Sequence, residues 1–256
     1  MEPRTEGQVP PGRRSDRADA TEPVGLVTFV SDGMTPTAAK LALVVFGSDL
    51  VFAAIRAWQL FSREAAGKWF RLDVDGSLPE IAQYIKFLVI AGFMVHLARR
   101  TRLRWYLVWA LSFAFLMLDD ALMIHERVSE RLSPSLAGVL PTGADPQAVG
   151  ELGYFAVVGG VIALVAIVGI VSSPGPFRRM SIDVIMLLAL GALFAVGVDV
   201  FHGLLTLDYV GNSLFAVVED GGEMAAVSLI VIYSAMVDGH AGRLTHWLAN
   251  VRSLRS

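Results

Sequence analysis

The chain has no cysteine. Disulfides, iron–sulfur clusters and thiolate zinc sites are therefore excluded, and any metal must be held by His, Asp, Glu or carbonyl oxygen. Lysine is scarce as well. It stands only at Lys40, Lys68 and Lys86, so arginine carries most of the positive charge. Arginine over lysine, with an Ala-, Val- and Gly-rich body, points to a GC-rich bacterial genome. The net charge is −3, the wrong sign for a nucleic-acid partner. No HExxH, GxSxG, Walker A or DDxxD motif occurs, which removes the common hydrolase and nucleotide-binding signatures.

What is there is apolar. Of 256 residues, 54% are hydrophobic, and the mean hydropathy of +0.57 is too high for a soluble domain. The apolar residues fall in blocks rather than alternating, which predicts an all-α, polytopic membrane helical bundle. Six segments are long enough to span, near 38–61, 80–98, 103–125, 150–172, 181–205 and 212–237. The expected organisation is a disordered cytoplasmic N-terminal tail over 1–37, a six-helix transmembrane domain over 38–238 and a cytoplasmic C-terminal tail over 239–256. The tail at 1–22 is rich in Arg, Asp, Glu, Pro and Gly, a disordered composition. Arg13-Arg14 lacks the apolar run a twin-arginine signal needs.

Orientation is set by Lys and Arg in the flanks. Fourteen lie on the side of the N-terminus, around 4–17, at Lys40, in 99–104, at Arg178 and Arg179, and in the C-terminal tail; five lie opposite, at Arg63, Lys68, Arg71, Arg127 and Arg131. Both termini are expected in the cytoplasm of a bacterium, with the bundle in its plasma membrane and loops 62–79, 126–149 and 206–211 outside.

Against this apolar background stands a surplus of acid. Asp119, Asp120, His125 and Glu126 fall in LDDALMIHE, Asp199 and His202 in a later segment, and Glu219, Asp220 and Glu223 in the last. Only Arg56 and Lys86 offer positive charge at that depth. A charge at the centre of a spanning helix costs about 2.5–3.5 kcal/mol on insertion scales. So many acids with so few bases require bound cations, protons or water. The orientation places most of these groups, with Glu151, in the outer half; Asp183 and His96, near inner ends, are the exceptions. A single polar cavity open to the outer side is expected.

Spacing refines the picture. Ser112, Asp119 and Glu126 are seven apart and share one face of a continuous helix, with Asp120 and His125 to either side. Asp199 and His202 are i, i+3 neighbours, able to share an ion or to hydrogen-bond each other. Glu219 and Glu223 are i, i+4; two ionised carboxylates so placed repel, so a proton or a cation must come between them. Asp220 points about 100° away and is available to Arg56 or Lys86. Gly221-Gly222 allows a close backbone approach or a local break. Asp49 and Arg56 share a face of the first segment, which suits a structural or gating role.

The run LDDALMIHE, with the later VEDGGEM, resembles a broad group of bacterial multi-pass membrane proteins carrying an LD[DE]-x4-HE motif. It covers Leu118–Glu126 and, more loosely, Glu219–Glu223, with Asp120 where a Glu is expected. The resemblance implies a membrane protein with a shared polar centre and brings no activity with it.

Four functions compete. The first is a metal-dependent membrane hydrolase acting on a lipid or lipid-linked substrate. His125, Glu126, Asp199, His202, Glu219 and Glu223 would hold a divalent zinc, manganese or iron ion, and Asp119 or Asp120 would act as general base on its water. The second is a proton- or cation-coupled transporter or channel, since chains of Asp, Glu and His serve as proton relays. Against it, the inner half offers little beyond His96 and Asp183. The third is a non-catalytic membrane subunit whose polar cluster fixes helix register. The fourth is bis-histidine haem between His125 and His202. An alkaline-ceramidase-like hydrolase would need a late HxxxH that this chain lacks.

Overall fold

The computed structural model describes residues 34–62, 68–70, 76–141, 145–173, 175–198 and 209–241. All regular structure in them is helical: α1 (Pro36–Ser62), a short 3-10 turn (Lys68–Phe70), α2 (Leu78–Thr101), α3 (Tyr106–Ala121), α4 (Ile124–Ala137), α5 (Pro146–Ser172), α6 (Gly175–Ala192) running on into a π-helical turn (Leu193–Val198), and α7 (Tyr209–Gly239). Five stretches are long and apolar enough to cross a membrane: Pro36–Gln59, Leu78–Thr101, Pro146–Ser172, Phe177–Val198 and Val217–Gly239. The shortest has 22 residues, about 33 Å at 1.5 Å per residue, against a hydrocarbon core of about 30 Å. The expected tails fall largely on 1–33 and 242–256, outside the described residues.

The third expected segment is not one straight helix. α3 stops at Ala121, Met123 takes left-handed backbone angles (φ 48°, ψ 46°), and α4 leaves at a bend of 63°. A methionine in that conformation carries strain of the order of 1 kcal/mol, since its Cβ crowds the following carbonyl. The turn is held by Met123 N–H donating to the Asp120 carbonyl at 3.0 Å and Leu122 N–H to that of Leu118 at 3.0 Å. α4 is also far more polar than its neighbours; its sequence, IHERVSERLSPSLA, has five charged or titratable residues in its first eight.

Local signals set several other ends. Pro79 sits in the first turn of α2, where its missing N–H costs nothing. The Glu80 carboxylate beside it accepts from Gly76 N–H and from the Tyr84 hydroxyl. Asp145 caps α5, accepting from Gln147 N–H at 3.0 Å, with Pro146 following.

The helix ends establish how many times the chain crosses. Thr35, just before α1, lies against Gly239 at the end of α7. Arg100, at the end of α2, donates to the Asp238 carbonyl at 3.2 Å. Tyr106 at the start of α3 meets Phe177 at the start of α6, and Trp105 meets Gly169 near the end of α5. All these points belong to one end of the bundle, called the terminal end below. α3 therefore starts at the same end at which α5 finishes, so the bent α3–α4 pair carries the chain across once. Six crossings result, as the apolar blocks predict, and the described chain begins and ends on one side.

α7 is the axis. It packs against α1, α2, α6 and the π-helical turn, and 67% of its apolar window is buried, against 11% for α1 and for α5. Those two outer helices leave Leu43, Val44, Val157 and Val171 more than half exposed, a surface suited to lipid and not to water. The core that α7 shares holds Ile90, Met94 and Leu97 from α2, Tyr106, Trp109 and Phe113 from α3, and Phe177, Met180 and Val184 from α6. Thus α7, the least hydrophobic of the five long spans, is also the most enclosed, as intramembrane charges demand.

The Gly221-Gly222 pair does not break α7. It admits the π-helical turn, whose Phe194 ring lies where a Gly222 side chain would be, while Gly221 has open space around it. Gly222→Ala is therefore expected to lower the melting temperature in detergent, by overpacking worth about 1–3 kcal/mol. Gly221→Ala is expected to leave it unchanged or raise it by the helix propensity of alanine, about 1 kcal/mol. Equal effects at the two positions would contradict the packing described.

Candidate functional site

The polar interior is built in three groups. The first joins α1, α2 and α7. Lys86 is 3% exposed, and its Nζ donates to Asp49 Oδ1 at 2.5 Å, to Gln83 Oε1 at 3.0 Å and to the Met224 carbonyl at 3.3 Å. The second Asp49 oxygen accepts from Ser228 Oγ at 2.6 Å. All three ammonium donors are thus satisfied, and both carboxylate oxygens are engaged. Asp49 pairs with Lys86, not with Arg56 on its own helix. Of the two cations available to Asp220, the Lys86 ammonium is directed to Asp49, because α1 packs along α7 at the level of Ser228.

Above this pair sits the acid surplus. Glu223 lies within electrostatic reach of Glu219 and Asp220 on its own helix, of Asp120 on α3, and of Lys86. Four of the expected acids are therefore brought to one region, with a single lysine beside them. All four are half-buried.

The second group forms at the bend. Asp119 is 2% exposed. Its Oδ1 accepts from the Tyr154 hydroxyl of α5 at 2.6 Å, and its Oδ2 faces His125 Nδ1 at 3.4 Å. His125 Nε2 lies 3.8 Å from Glu126, and its ring packs on Phe155 with centroids 5.1 Å apart. The stripe expected of Ser112, Asp119 and Glu126 is corrected here. Ser112 and Asp119 share the buried face of α3, but the left-handed turn at Met123 ends that helix before Glu126. The same turn folds His125 back onto Asp119 instead of leaving it to one side. Next to this group, Glu151 accepts from Gln147 at 3.1 Å and from Ser129 at 3.4 Å, tying α4 to α5.

The third group lies at the terminal end. The Tyr233 hydroxyl donates to Asp183 Oδ2 at 2.6 Å, and Trp109 Nε1–H donates to Ser181 Oγ at 2.9 Å. At the rim, Asp238 stands 3.5 Å from His96 and 3.9 Å from Arg100. Sequence reasoning passed over Tyr154, Tyr233, Trp109, Ser181 and Ser228. The phenols and the indole could have been flagged, because a Tyr or Trp in an apolar span must find a partner when buried.

As a metal shell, the described part is incomplete. Among the described residues no three His, Asp or Glu side chains come together as ligands for one ion. Asp199 and His202 lie outside the described residues.

These features define the class: a polytopic α-helical membrane protein with an acid-rich interior built around its last helix. Within that class, the chain belongs to the family described as "Domain of unknown function (DUF8692)", whose profile matches residues 80–237. The match runs from the first turn of α2 almost to the end of α7. It takes in Lys86, Asp119, Asp120, His125, Asp183, Glu223 and Tyr233, and leaves Asp49 outside. No curated protein and no solved structure matches the chain.

The Lys86 group generates a stability prediction. Lys86→Met leaves a buried aspartate without its charge partner and is expected to cost about 3–5 kcal/mol. The double variant Asp49→Asn with Lys86→Met should recover most of that loss. The check is melting temperature in detergent for the single and double variants; strictly additive losses would contradict the pairing.

Proposed function

We propose that this protein is a proton- or cation-coupled transporter or channel of the bacterial plasma membrane, with its terminal end in the cytoplasm. The observation that supports this best is the run of polar contacts along α7. Glu219, Glu223, Ser228, Tyr233 and Asp238 occupy successive levels, and 19 residues at 1.5 Å each cover about 29 Å, close to the hydrocarbon thickness. They point in different directions, toward α1, α2 and α6, so polar groups occur at every depth of the bundle. The scarcity of such groups in the inner half was the main argument against transport. Tyr233 beside Asp183, and Asp238 beside His96 and Arg100, add polar groups there and support the transport reading.

The roles follow from chemistry. Glu223 and its acidic neighbours form the ion-binding centre, where a proton or a cation relieves carboxylate repulsion. The Lys86 ammonium, held in place by Asp49, puts one positive charge beside Glu223, and the bound proton or cation neutralises the rest of the centre. In reconstituted vesicles the wild-type chain is expected to dissipate a proton or small-cation gradient. Glu223→Gln, which removes the titrating charge at nearly constant shape, is expected to slow it about tenfold or more. Full flux in Glu223→Gln, or no flux of any tested ion in wild type, would sink the proposal.

A second function is favoured by one observation: His125 faces both Asp119 and Glu126. That is the beginning of a donor set for a divalent zinc, manganese or iron ion in a hydrolase with a lipid or lipid-linked substrate. Asp199 and His202 would have to complete the shell, with Asp119 or Asp120 as general base, because Glu219 and Glu223 gather in the other group. Elemental analysis of the purified protein separates the two functions. Stoichiometric metal in wild type, lost in His125→Ala, establishes the metal centre; a metal-free protein that still moves ions establishes transport.

A further inference from the structure

We propose that Asp183, Tyr233 and Tyr106 form the terminal-end half of a proton path, and that the ion this protein moves is therefore the proton. This rests on the transport function above and narrows its cargo.

The three residues come from three helices, at the end of the bundle where the described chain begins and ends. Tyr106 opens α3, Asp183 lies about two turns into α6, and Tyr233 lies about two turns before the end of α7. Their exposures are 0%, 8% and 2%. Tyr233 gives its hydroxyl proton to Asp183 Oδ2 in a 2.6 Å hydrogen bond. The Tyr106 hydroxyl has no hydrogen-bond partner among the described residues. Yet it lies within electrostatic reach of Tyr233, as does Arg179, which is exposed on α6 and marks where the group approaches the aqueous side.

An enclosed hydroxyl without a partner is costly, and packing alone does not ask for one. The Tyr106 ring already meets Phe177 edge-on at 5.2 Å, and a phenylalanine would keep that contact. One turn away, Trp109 has its own polar partner in Ser181, whereas the buried Ser234 hydroxyl beside Tyr233, like that of Tyr106, has none among the described residues. A water molecule is the group that fits. Two phenols and a carboxylate offer the two to four polar partners an internal water needs.

The same donor set argues against a metal cation here. Calcium takes six to eight oxygen ligands and magnesium a full octahedron. This site has one carboxylate, and Tyr233 already occupies one of its oxygens. A chain of phenol, water and carboxylate suits a proton. Tyr233 passes its proton to Asp183 and takes one from the water it shares with Tyr106, and that water is reprotonated from the aqueous side near Arg179. The phenol ends neutral, as it began, and one proton has moved onto the carboxylate.

The test uses the full chain in vesicles, with a trapped pH dye for protons and, in parallel, trapped indicators for sodium, potassium and manganese. Wild type is expected to carry protons. Asp183→Asn keeps an oxygen for Tyr233 to donate to and loses the titration; it and Tyr233→Phe should each lower proton flux about tenfold or more. Tyr106→Phe should lower it several-fold with no fall in melting temperature, an effect a purely structural hydroxyl would not produce. Should Tyr233→Phe fail to fold, the two near-isosteric variants carry the test. Unchanged proton flux in folded Asp183→Asn overturns the path, as does sodium, potassium or manganese flux without proton flux; in both cases transport itself stands. Absence of flux for every ion overturns both.

Discussion

An ammonium group enclosed by three helices in a membrane bundle needs an anion within reach, and this constraint organises the structure. Lys86 of α2 finds Asp49 of α1, and the pair is completed by Ser228 and the Met224 carbonyl of α7. Because each bond needs its partner at one height, the pair sets the register of α1 and α2 along α7. Apolar packing alone would not fix that register, since one lipid-like surface slides on another at little cost. With the register set, Glu223 sits one residue from the level of the pair, and the acid surplus gathers beside Lys86.

The bend between α3 and α4 divides the acids. Neighbouring residues on a helix point about 100° apart, so Asp119 and Asp120 face different partners. Asp119 is turned to Tyr154 and His125; Asp120 is turned toward Glu223. What looks like one acidic patch in LDDALMIHE belongs to two networks. The left-handed turn at Met123 brings His125 into the first of them, and a straight helix would have carried it more than a turn further outward. The strain at a non-glycine residue is offset by the hydrogen bonds of the turn and the packing of α4 on α5.

How much was legible in the sequence varies with the kind of signal. The all-α polytopic class and the six crossings were, because hydropathy over about 20 residues is a one-dimensional property. The enclosure of the last helix was foreshadowed by its charges, which cannot face lipid. Of the candidate residues, Asp120, Glu219, Asp220 and Glu223 do come together. Asp119 with His125 and Glu126 forms a separate group, and Asp199 and His202 lie outside the described residues. Helical spacing failed at Met123 because it assumes an unbroken helix, and no proline or glycine announces the break. The partner of Lys86 was left open because spacing relates residues within a helix, whereas the choice between Asp49 and Asp220 depends on which helices touch.

The amino-acid sequence by itself determined that this chain lives in a membrane, how many times it crosses, and that its interior holds more acid than base. Those follow from local composition and from the energetic cost of charge in hydrocarbon. Only the tertiary structure decided which acid meets which partner: Asp49 with Lys86, Asp119 with Tyr154 and His125, Asp183 with Tyr233. Each of these contacts joins residues from separate segments or across a bend, and its formation depends on helix register and direction, which packing sets. The separation of the acids of LDDALMIHE between the Asp119–His125 group and the level of Glu223 is a product of that packing.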